Sequence, residues 1–238
     1  MRQHDRLINL AAREILAPQG IFRRGSSQIW LDDNGYFMIQ IEFQPSGYSR
    51  GSYLNVGISF LWEASKGLNE TLAFDYGYRV MVKGKQFTGY EGNDEEFKKE
   101  MEYFSRAALQ KVLEYRQFED MDYAKKRLIE KLQKTSEDSR FWEPYHLAML
   151  CFLKGDFEEG KNYFDTFMRI LKESFYNGDF YIEWHEEFYN HCTETILPAI
   201  TAKESAQDMV LKMIKRRRDY FNSKHSYKKM NKADFMYS

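Results

Sequence analysis

The sequence predicts an α+β fold: an N-terminal helix packed on an antiparallel sheet of about four strands, followed by an all-helical region of about six helices. Apolar residues recur at every second position between residues 36 and 62, which is the period of a half-buried strand. From residue 93 onward they recur at helical spacing instead. These changes predict an α+β domain over residues 1–88, a helical domain over 93–221 and a basic C-terminal tail over 222–238.

The first predicted element is an amphipathic helix. Leu7, Ala11 and Ile15 fall at helical spacing and form one apolar face. Pro18, followed by Gly20, is expected to end this helix, because the residue before a proline is pushed out of the helical region of backbone conformation.

Four strands are predicted from the alternation and from the turns between them. The two longest run across residues 36–44 and 53–62, and a tight turn at Asp32-Asp33-Asn34-Gly35 leads into the first of them. Shorter strands are predicted at 27–31 and 72–80. One face of such a sheet is expected to pack on the helix and the other to meet water. The side chains predicted to face the helix are Phe37, Ile39, Ile41, Phe43, Leu54, Val56, Ile58 and Phe60.

The helical region begins with a capping signature. Asn93 precedes Glu96 by three residues, the pattern in which the two side chains cap the start of a helix reciprocally. The same signature recurs at Asp156, and a last helix is predicted over about 202–221. Residues 222–238 show no apolar pattern and are expected to add little to the core.

Composition places the protein in the cytoplasm. The 238 residues carry a net charge of −1, although residues 203–238 hold 10 Lys/Arg against 4 Asp/Glu. No apolar run has the length of a signal peptide core or a membrane span, so no membrane contact is expected. Cys151 and Cys192 are too few for a disulfide framework and are predicted to be buried, reduced thiols. No cofactor is predicted.

Several short motifs occur together in the first third of the chain. They are Leu16-Ala17-Pro18-Gln19-Gly20-Ile21-Phe22-Arg23-Arg24 with Trp30, Ile41-Glu42-Phe43-Gln44-Pro45-Ser46, Tyr53-Leu54-Asn55-Val56-Gly57-Ile58, and Arg79 in the strand Tyr76 to Val82. In this combination the segment resembles a bacterial family known only as domain of unknown function four-three-zero-four. The resemblance implies a small α+β fold and no activity.

A second set of residues lies within residues 141–168. It comprises Leu147-Ala148, Phe152, Gly155-Asp156-Phe157-Glu158-Glu159 and Phe164. This segment resembles a single tetratricopeptide-type helical hairpin, but it departs from the repeat at Gly160, where the repeat has alanine, and at Cys151, where it has tyrosine. A true array needs several repeats, and only Asp122-Tyr123 suggests a neighbouring copy. A generic helical hairpin is therefore the favoured interpretation.

Two patterns typical of catalytic sites are better explained structurally. Ser49 lies in a G-x-S-x-G motif, but a strand follows it where a serine hydrolase has a helix, so the motif predicts a hairpin turn. His185 begins a pattern typical of zinc-binding helices, yet Tyr189 occupies the place of the second histidine. His185 is therefore predicted to be a core residue.

Two functional alternatives remain open beside a binding protein. Glu183, Glu187, His191 and Glu194 share one helix edge and could hold the metal of a metal-dependent enzyme if a facing helix added ligands. The cluster Lys215-Arg216-Arg217-Arg218 and the lysines of the tail could instead contact nucleic-acid phosphates. One basic cluster on a nearly neutral chain is a weak footprint, so nucleic acid is not the favoured partner.

The polar side of the predicted sheet is the preferred binding surface. Its candidate residues are Arg24, Gln40, Gln44, Arg50, Tyr53 and Asn55. Long amides, tyrosine and arginine side by side are typical of surfaces that contact other proteins. We therefore predict a non-catalytic protein that binds another protein. No catalytic or metal-binding residue is assigned, and the oligomeric state is left open.

Overall fold

The chain forms two compact units in a computed structural model that describes residues 2–62, 71–135, 141–177, 180–227 and 230. The first, here the sheet unit, comprises Met1–Phe60, Glu70–Arg116 and Tyr220–Ser238. The second, here the helical unit, comprises Leu61–Asn69 and Gln117–Asp219. The boundaries between the units follow Phe60, Asn69, Arg116 and Asp219, whereas the sequence places one junction between residues 88 and 93.

The sheet unit contains an antiparallel sheet and two long helices. Its elements are α1 (Gln3–Leu16), β1 (Phe22–Arg23), β2 (Ile29–Asp33), β3 (Phe37–Pro45), β4 (Gly51–Phe60), β5 (Tyr76–Arg79), β6 (Phe87–Gly89) and α2 (Asp94–Tyr115). Strands β1 to β4 pair in chain order, and β5 and β6 both pair with the outer edge of β4. The α+β class and the antiparallel sheet are confirmed, but the sheet has six strands in the described ranges where about four were predicted. The short strands β1 and β6 were not predicted, because two or three residues are too few to show an alternating pattern.

Helices α1 and α2 lie side by side and run parallel. Gln3 bonds to Asp94 where both helices begin, and Arg116 Nη2 donates to the carbonyl of Gln19 at 2.8 Å where both have ended. The predicted cap of α2 is confirmed, because Asn93 Oδ1 accepts a hydrogen bond from the backbone N–H of Glu96 at 3.2 Å. Helix α2 packs along β3 and β4, which positions the sheet.

The side of the sheet that was predicted to face the N-terminal helix α1 faces α2, and α1 packs against α2. Ile39 lies opposite Ile58 and Phe43 opposite Leu54, and all four side chains are fully buried. Tyr76 of β5 also lies opposite Ile58, and its ring meets that of Tyr115 of α2 at 5.8 Å, which places α2 on this face.

The opposite face is largely covered, and the prediction that it is open to water is wrong at Gln40, Asn55 and Ser59. All three are buried. The chain before β5 crosses this part of the sheet: Ser59 Oγ donates to the carbonyl of Ala73, and the Phe74 ring lies 2.7 Å from where a Cβ on Gly57 would stand. Alternation along a strand tells which residues share a face but not what covers it.

Part of the C-terminal segment also belongs to the sheet unit, so the prediction that residues 222–238 add little to the core is wrong at Tyr227 and Met230. Both side chains are buried. The Tyr227 ring stacks on Phe221 at a centroid distance of 4.5 Å, and the backbone N–H of Met230 donates to Asn222 Oδ1 at 2.8 Å. The sequence did not predict this burial, because two isolated apolar residues in a polar segment make no periodic pattern.

The helical unit contains most of the later helices. Its elements are α3 (Met121–Lys134), α4 (Trp142–Lys154), α5 (Phe157–Glu173), β7 (Tyr176–Asn177), β8 (Phe180–Tyr181), α6 (Glu183–His191) with a π-helical turn at Cys192–Ile196, and α7 (Lys203–Asn222), which continues into the sheet unit at Tyr220. The later chain is mainly helical, as predicted. The prediction that it is all-helical is wrong at the β7–β8 hairpin, whose two-residue strands carry no recognisable alternation.

The predicted helical hairpin consists of α4 and α5. Gly155, with a φ of +86°, ends α4 in the left-handed conformation that favours glycine. Gly160 lets the two helices approach closely, because a Cβ there would stand 2.7 Å from the Phe152 ring. The structure thus explains the glycine that departs from the tetratricopeptide pattern. Asp156 does not cap α5 as predicted, since its carboxylate pairs with Lys125 and Lys154.

Candidate functional site

A hydrogen-bonded network joins polar residues of β3 and β4 on the sheet face opposite the helices. Asn55 Nδ2 donates to Glu42 Oε2 at 2.8 Å and to Gln44 Oε1 at 3.0 Å. Both partners offer oxygen, which fixes the orientation of the Asn55 amide. Asn55 Oδ1 is buried and has no hydrogen-bond partner among the described residues. The network therefore satisfies the donor group of Asn55 and leaves its buried acceptor without a partner among the described residues.

Arg79 of β5 extends this network outward. Its Nη2 donates to Gln44 Oε1 at 2.8 Å, and its guanidinium carbon lies 4.1 Å from the centre of the Tyr53 ring. Phe87 of β6 packs on Tyr53 with a centroid distance of 4.8 Å. Because β5 and β6 follow one another along the edge of β4, they hold the Tyr53 ring between an arginine and an aromatic ring.

Arg79 has no ion pair with any carboxylate in the described ranges, although its side chain is half-buried. One of its N–H groups is used by Gln44, so the others of the guanidinium fork remain to bind a ligand. Glu42, the carboxylate of the network, is bonded to Asn55 instead. The site thus offers a pre-oriented cation beside an aromatic ring, an arrangement suited to binding an anionic group.

Three of the six predicted site residues, Gln44, Tyr53 and Asn55, meet in this network. Gln40 is buried farther along the face, where it lies opposite Gly57. Arg24 lies on the β1–β2 side of the sheet unit, with its guanidinium carbon 5.9 Å from the ring centre of Tyr227.

Arg50 is the remaining predicted site residue, and it is exposed in the hairpin between β3 and β4. Its charge acts toward α1 and the segment before α2. Burial lowers the pKa of His4, Asp5 raises it, and the charges of Arg2 and Arg50 lower it further. No hydrogen bond or ring contact of the described residues joins Arg50 to Tyr53. The arginine beside Tyr53 is Arg79, which lies in one of the sequence motifs but was not among the predicted site residues.

The alternative metal site on α6 is not assembled. Within the described parts of the chain, the side chains of Glu187, His191 and Glu194 do not come together as ligands, and His191 Nδ1 lies 3.2 Å from Thr195 Oγ1. The last turn of the segment is a π-helix over Cys192–Ile196, which changes the spacing on which the predicted edge depended.

A group of metal-capable side chains does occur elsewhere, at the α4–α5 junction. Ligand atoms of Cys151, Asp156 and Glu159 lie within 4.8 Å of one another. Lys125 Nζ stands 2.5 Å from Glu159 Oε2 and 3.3 Å from Asp156 Oδ2, so an ammonium already balances both carboxylates. We interpret this cluster as a structural ion-pair network between α3 and the α4–α5 hairpin.

Both cysteines are expected to resist alkylation in the folded protein. Burial raises the pKa of Cys151 to about 12 and that of Cys192 to about 12. Because the thiolate is the reactive form, iodoacetamide at pH 8 should label neither residue over a time in which free cysteine reacts fully. Mass spectrometry of intact protein measures this, and the same chain in guanidinium chloride is the control that should take up two labels. Rapid labelling of the native chain would contradict the burial of these thiols.

Three other features of the sequence were considered as possible functional sites: Ser49, His185 and the basic cluster on α7. Ser49 lies in the exposed turn between β3 and β4, as predicted. His185 is buried, and its Nδ1 lies 2.8 Å from Ser174 Oγ, so it is the predicted core histidine. The basic cluster on α7 is only partly a surface feature, because Arg217 and Arg218 are each 3% exposed. Burial of half of the cluster removes those charges from contact with phosphates.

Comparison with protein-family models, with curated proteins and with solved structures finds no match to this chain. Among the helices of the described ranges, none combines the length and the apolar character needed to cross a membrane.

Proposed function

We propose that this protein is a non-catalytic binding protein that recognises another protein through the Gln44, Tyr53, Asn55 and Arg79 network. The observation that carries the proposal is the state of Arg79: its guanidinium is stacked on Tyr53 and held by Gln44, yet it is not paired with a described carboxylate. Such an arginine loses little conformational freedom on binding, because its geometry is fixed in advance.

The chemistry of the site favours an anionic group on the partner. Arginine binds a carboxylate or a phosphate through two parallel N–H donors, and the Tyr53 ring offers apolar area beside it. Tyrosine and arginine are also the residues that most often dominate the energy of an interface. We therefore propose a partner that presents an acidic side chain to Arg79.

The resemblance to domain of unknown function four-three-zero-four supports this choice of site. Glu42, Gln44, Tyr53, Asn55 and Arg79 all lie in the motifs that carry that resemblance. We propose that the network is the feature that those motifs preserve. A cytoplasmic location is part of the same proposal, because the two free cysteines are buried thiols rather than disulfides.

The test compares variants of Arg79 and Tyr53 in binding to a purified partner. The partner is first recovered with tagged wild-type chain as bait, and its affinity is then measured by calorimetry. Arg79→Ala and Tyr53→Ala should each weaken binding by about thirtyfold, since truncating a central arginine or tyrosine costs about 2 kcal/mol. Arg79→Lys should retain charge but lose the paired donors, and so weaken binding to an intermediate degree.

Two other arginines provide the controls. Arg13, which is exposed on α1, should tolerate replacement by alanine without loss of affinity. Arg50→Ala distinguishes the predicted surface from the observed network, because Arg50 lies outside it. If Arg50→Ala abolishes binding while Arg79→Ala leaves it intact, the binding surface lies on the hairpin and the proposal for Arg79 is wrong.

A further inference from the structure

The helical unit carries several large aromatic rings that are partly exposed. Trp142 at the start of α4 is 39% exposed, and Trp184 in the first turn of α6 is 49% exposed. Tyr176 and Tyr181 of the β7–β8 hairpin are exposed as well. By contrast, Trp30 and Trp62 are buried. Large exposed aromatic areas on a protein surface mark sites of interaction.

The two exposed tryptophans both contact one buried ring. Phe141 is 4.9 Å from Trp142 and 6.0 Å from Trp184, measured between ring centroids. The Trp142 ring stacks nearly parallel to His146 at 6.1 Å, and the Trp184 ring stands edge-on to His185 at 3.9 Å. Each indole therefore has ring partners in the helical unit and still exposes part of its surface.

The β7–β8 hairpin adds a second pair of rings next to Trp184. Tyr176 and Tyr181 lie opposite each other in the hairpin, with their ring centroids 5.4 Å apart. Tyr181 precedes Trp184 by only three residues, so the tyrosine pair adjoins the start of α6. We call Trp142, Trp184, Tyr176 and Tyr181 the aromatic patch.

Helix α6 carries three carboxylates close to Trp184 along the chain. Helix α6 carries Glu183, Glu186 and Glu187, and none of these carboxylates is paired with a cation in the part of the chain that the structure describes. Glu187 follows Trp184 by three residues, so the two side chains share a face of the helix. An indole face beside a carboxylate attracts a cation both through the ring and through the charge.

We propose that the aromatic patch binds a cationic peptide segment, with arginine or lysine side chains lying on the indoles and against Glu187. The carboxylates oppose the binding of nucleic acid, whose phosphates they would repel, and they give a purely apolar partner no advantage. This site lies in the helical unit and takes a ligand of opposite charge to the one proposed for Arg79. A negative result for one proposal therefore does not count against the other.

The tryptophans themselves report on the test. The probe is a nonapeptide that alternates glycine and arginine, and its matched control carries citrulline, which is neutral but nearly the same shape, at each arginine position. Since Trp30 and Trp62 are buried, acrylamide quenching and changes in emission come mainly from Trp142 and Trp184. The arginine peptide should protect these two residues from quenching, and the citrulline peptide should bind at least tenfold more weakly.

Variants locate the binding on the patch. Trp142→Ala combined with Trp184→Ala should weaken binding, measured by calorimetry, at least tenfold. Glu187→Lys should weaken it to a similar degree without touching the core, which keeps the test valid if the double variant does not fold. Glu204→Lys changes the net charge equally at an exposed position of α7 and should leave the affinity unchanged.

Three results would overturn the proposal. The first is equal affinity for the arginine and citrulline peptides. The second is an equal loss of affinity in Glu187→Lys and Glu204→Lys, which would mean that the peptide responds only to net charge. The third is tighter binding of a single-stranded oligonucleotide than of the arginine peptide, which would make the patch a stacking platform for bases.

Discussion

Truncation of the chain after Asn222 is expected to lower the free energy of unfolding by about 3–6 kcal/mol. The truncation removes Tyr227 and Met230, both of which are buried in the sheet unit, and burial of one side chain of this size contributes about 1.5–3 kcal/mol. A loss of this size is a large fraction of the total stability of a domain, which is about 5–15 kcal/mol. Chemical denaturation of the two chains measures the difference.

A second truncation separates the buried residues from the rest of the basic tail. Ending the chain after Met230 keeps Tyr227 on Phe221 and should retain most of the stability that the shorter chain loses. Tyr227→Phe should be as stable as the wild type because it keeps the stacked ring. Tyr227→Ala should lose a large part of the stability that this segment contributes. Equal stability of the full chain and the chain ending at Asn222 would show that the segment contributes little to the core.

The sequence predicted the framework of the sheet unit because local patterns determine it. The alternation in β3 and β4 gave the residues of the helix-facing side, and Asn93 marked the start of α2. Helix α1 ends before Pro18 as predicted, but the predicted reason is wrong, because Ala17 keeps helical backbone angles and the helical path ends only at Gly20, with a φ of +83°. Each of these signals acts within a few residues, through backbone conformation or a single hydrogen bond. Local signals of this kind can be recognised in a single sequence.

The candidate site was only partly predictable, because it depends on how strands pair. Gln44 and Tyr53 share a face and a register position, which alternation across one hairpin can suggest. Arg79 joins them only because β5 pairs with the far edge of β4, and nothing in the order of residues fixes that pairing. Along the sequence Arg50 is closer to Tyr53 than Arg79 is. In the structure, however, the charge of Arg50 acts on His4.

The burial of the polar sheet face also could not be predicted from the sequence. Gln40 and Asn55 are polar, and polar residues are mostly exposed, so the prediction of an open face followed a sound general rule. In the structure Glu42 and Gln44, on the neighbouring strand, accept hydrogen bonds from the buried Asn55 Nδ2. Partners on another strand lower the cost of burying a polar group, and alternation along one strand does not reveal them.

The other large expected effect concerns the ion pair of Asp32 and Arg116, which ties the end of α2 to β2. Arg116 donates from Nε to Asp32 Oδ2 and from Nη2 to Asp32 Oδ1, both at 2.9 Å. The Asp32 side chain is only 8% exposed, while the Arg116 side chain is 28% exposed. The carboxylate therefore depends on the arginine more than the arginine depends on the carboxylate.

Arg116→Ala is expected to lower the free energy of unfolding by about 3 kcal/mol, because it leaves the buried Asp32 carboxylate without its cation. Asp32→Ala should cost less, since the Arg116 guanidinium can turn to water and still donate to the carbonyl of Gln19. The double variant should cost less than the sum of the two single ones, and denaturation curves of all four chains give that coupling energy. Arg169→Ala is the matched control, because its pair with Glu173 is exposed and should contribute under about 1 kcal/mol. If Asp32→Ala proves the more damaging change, the stability at this junction comes from another role of Asp32, such as its hydrogen bond from Asn34 in the turn into β3.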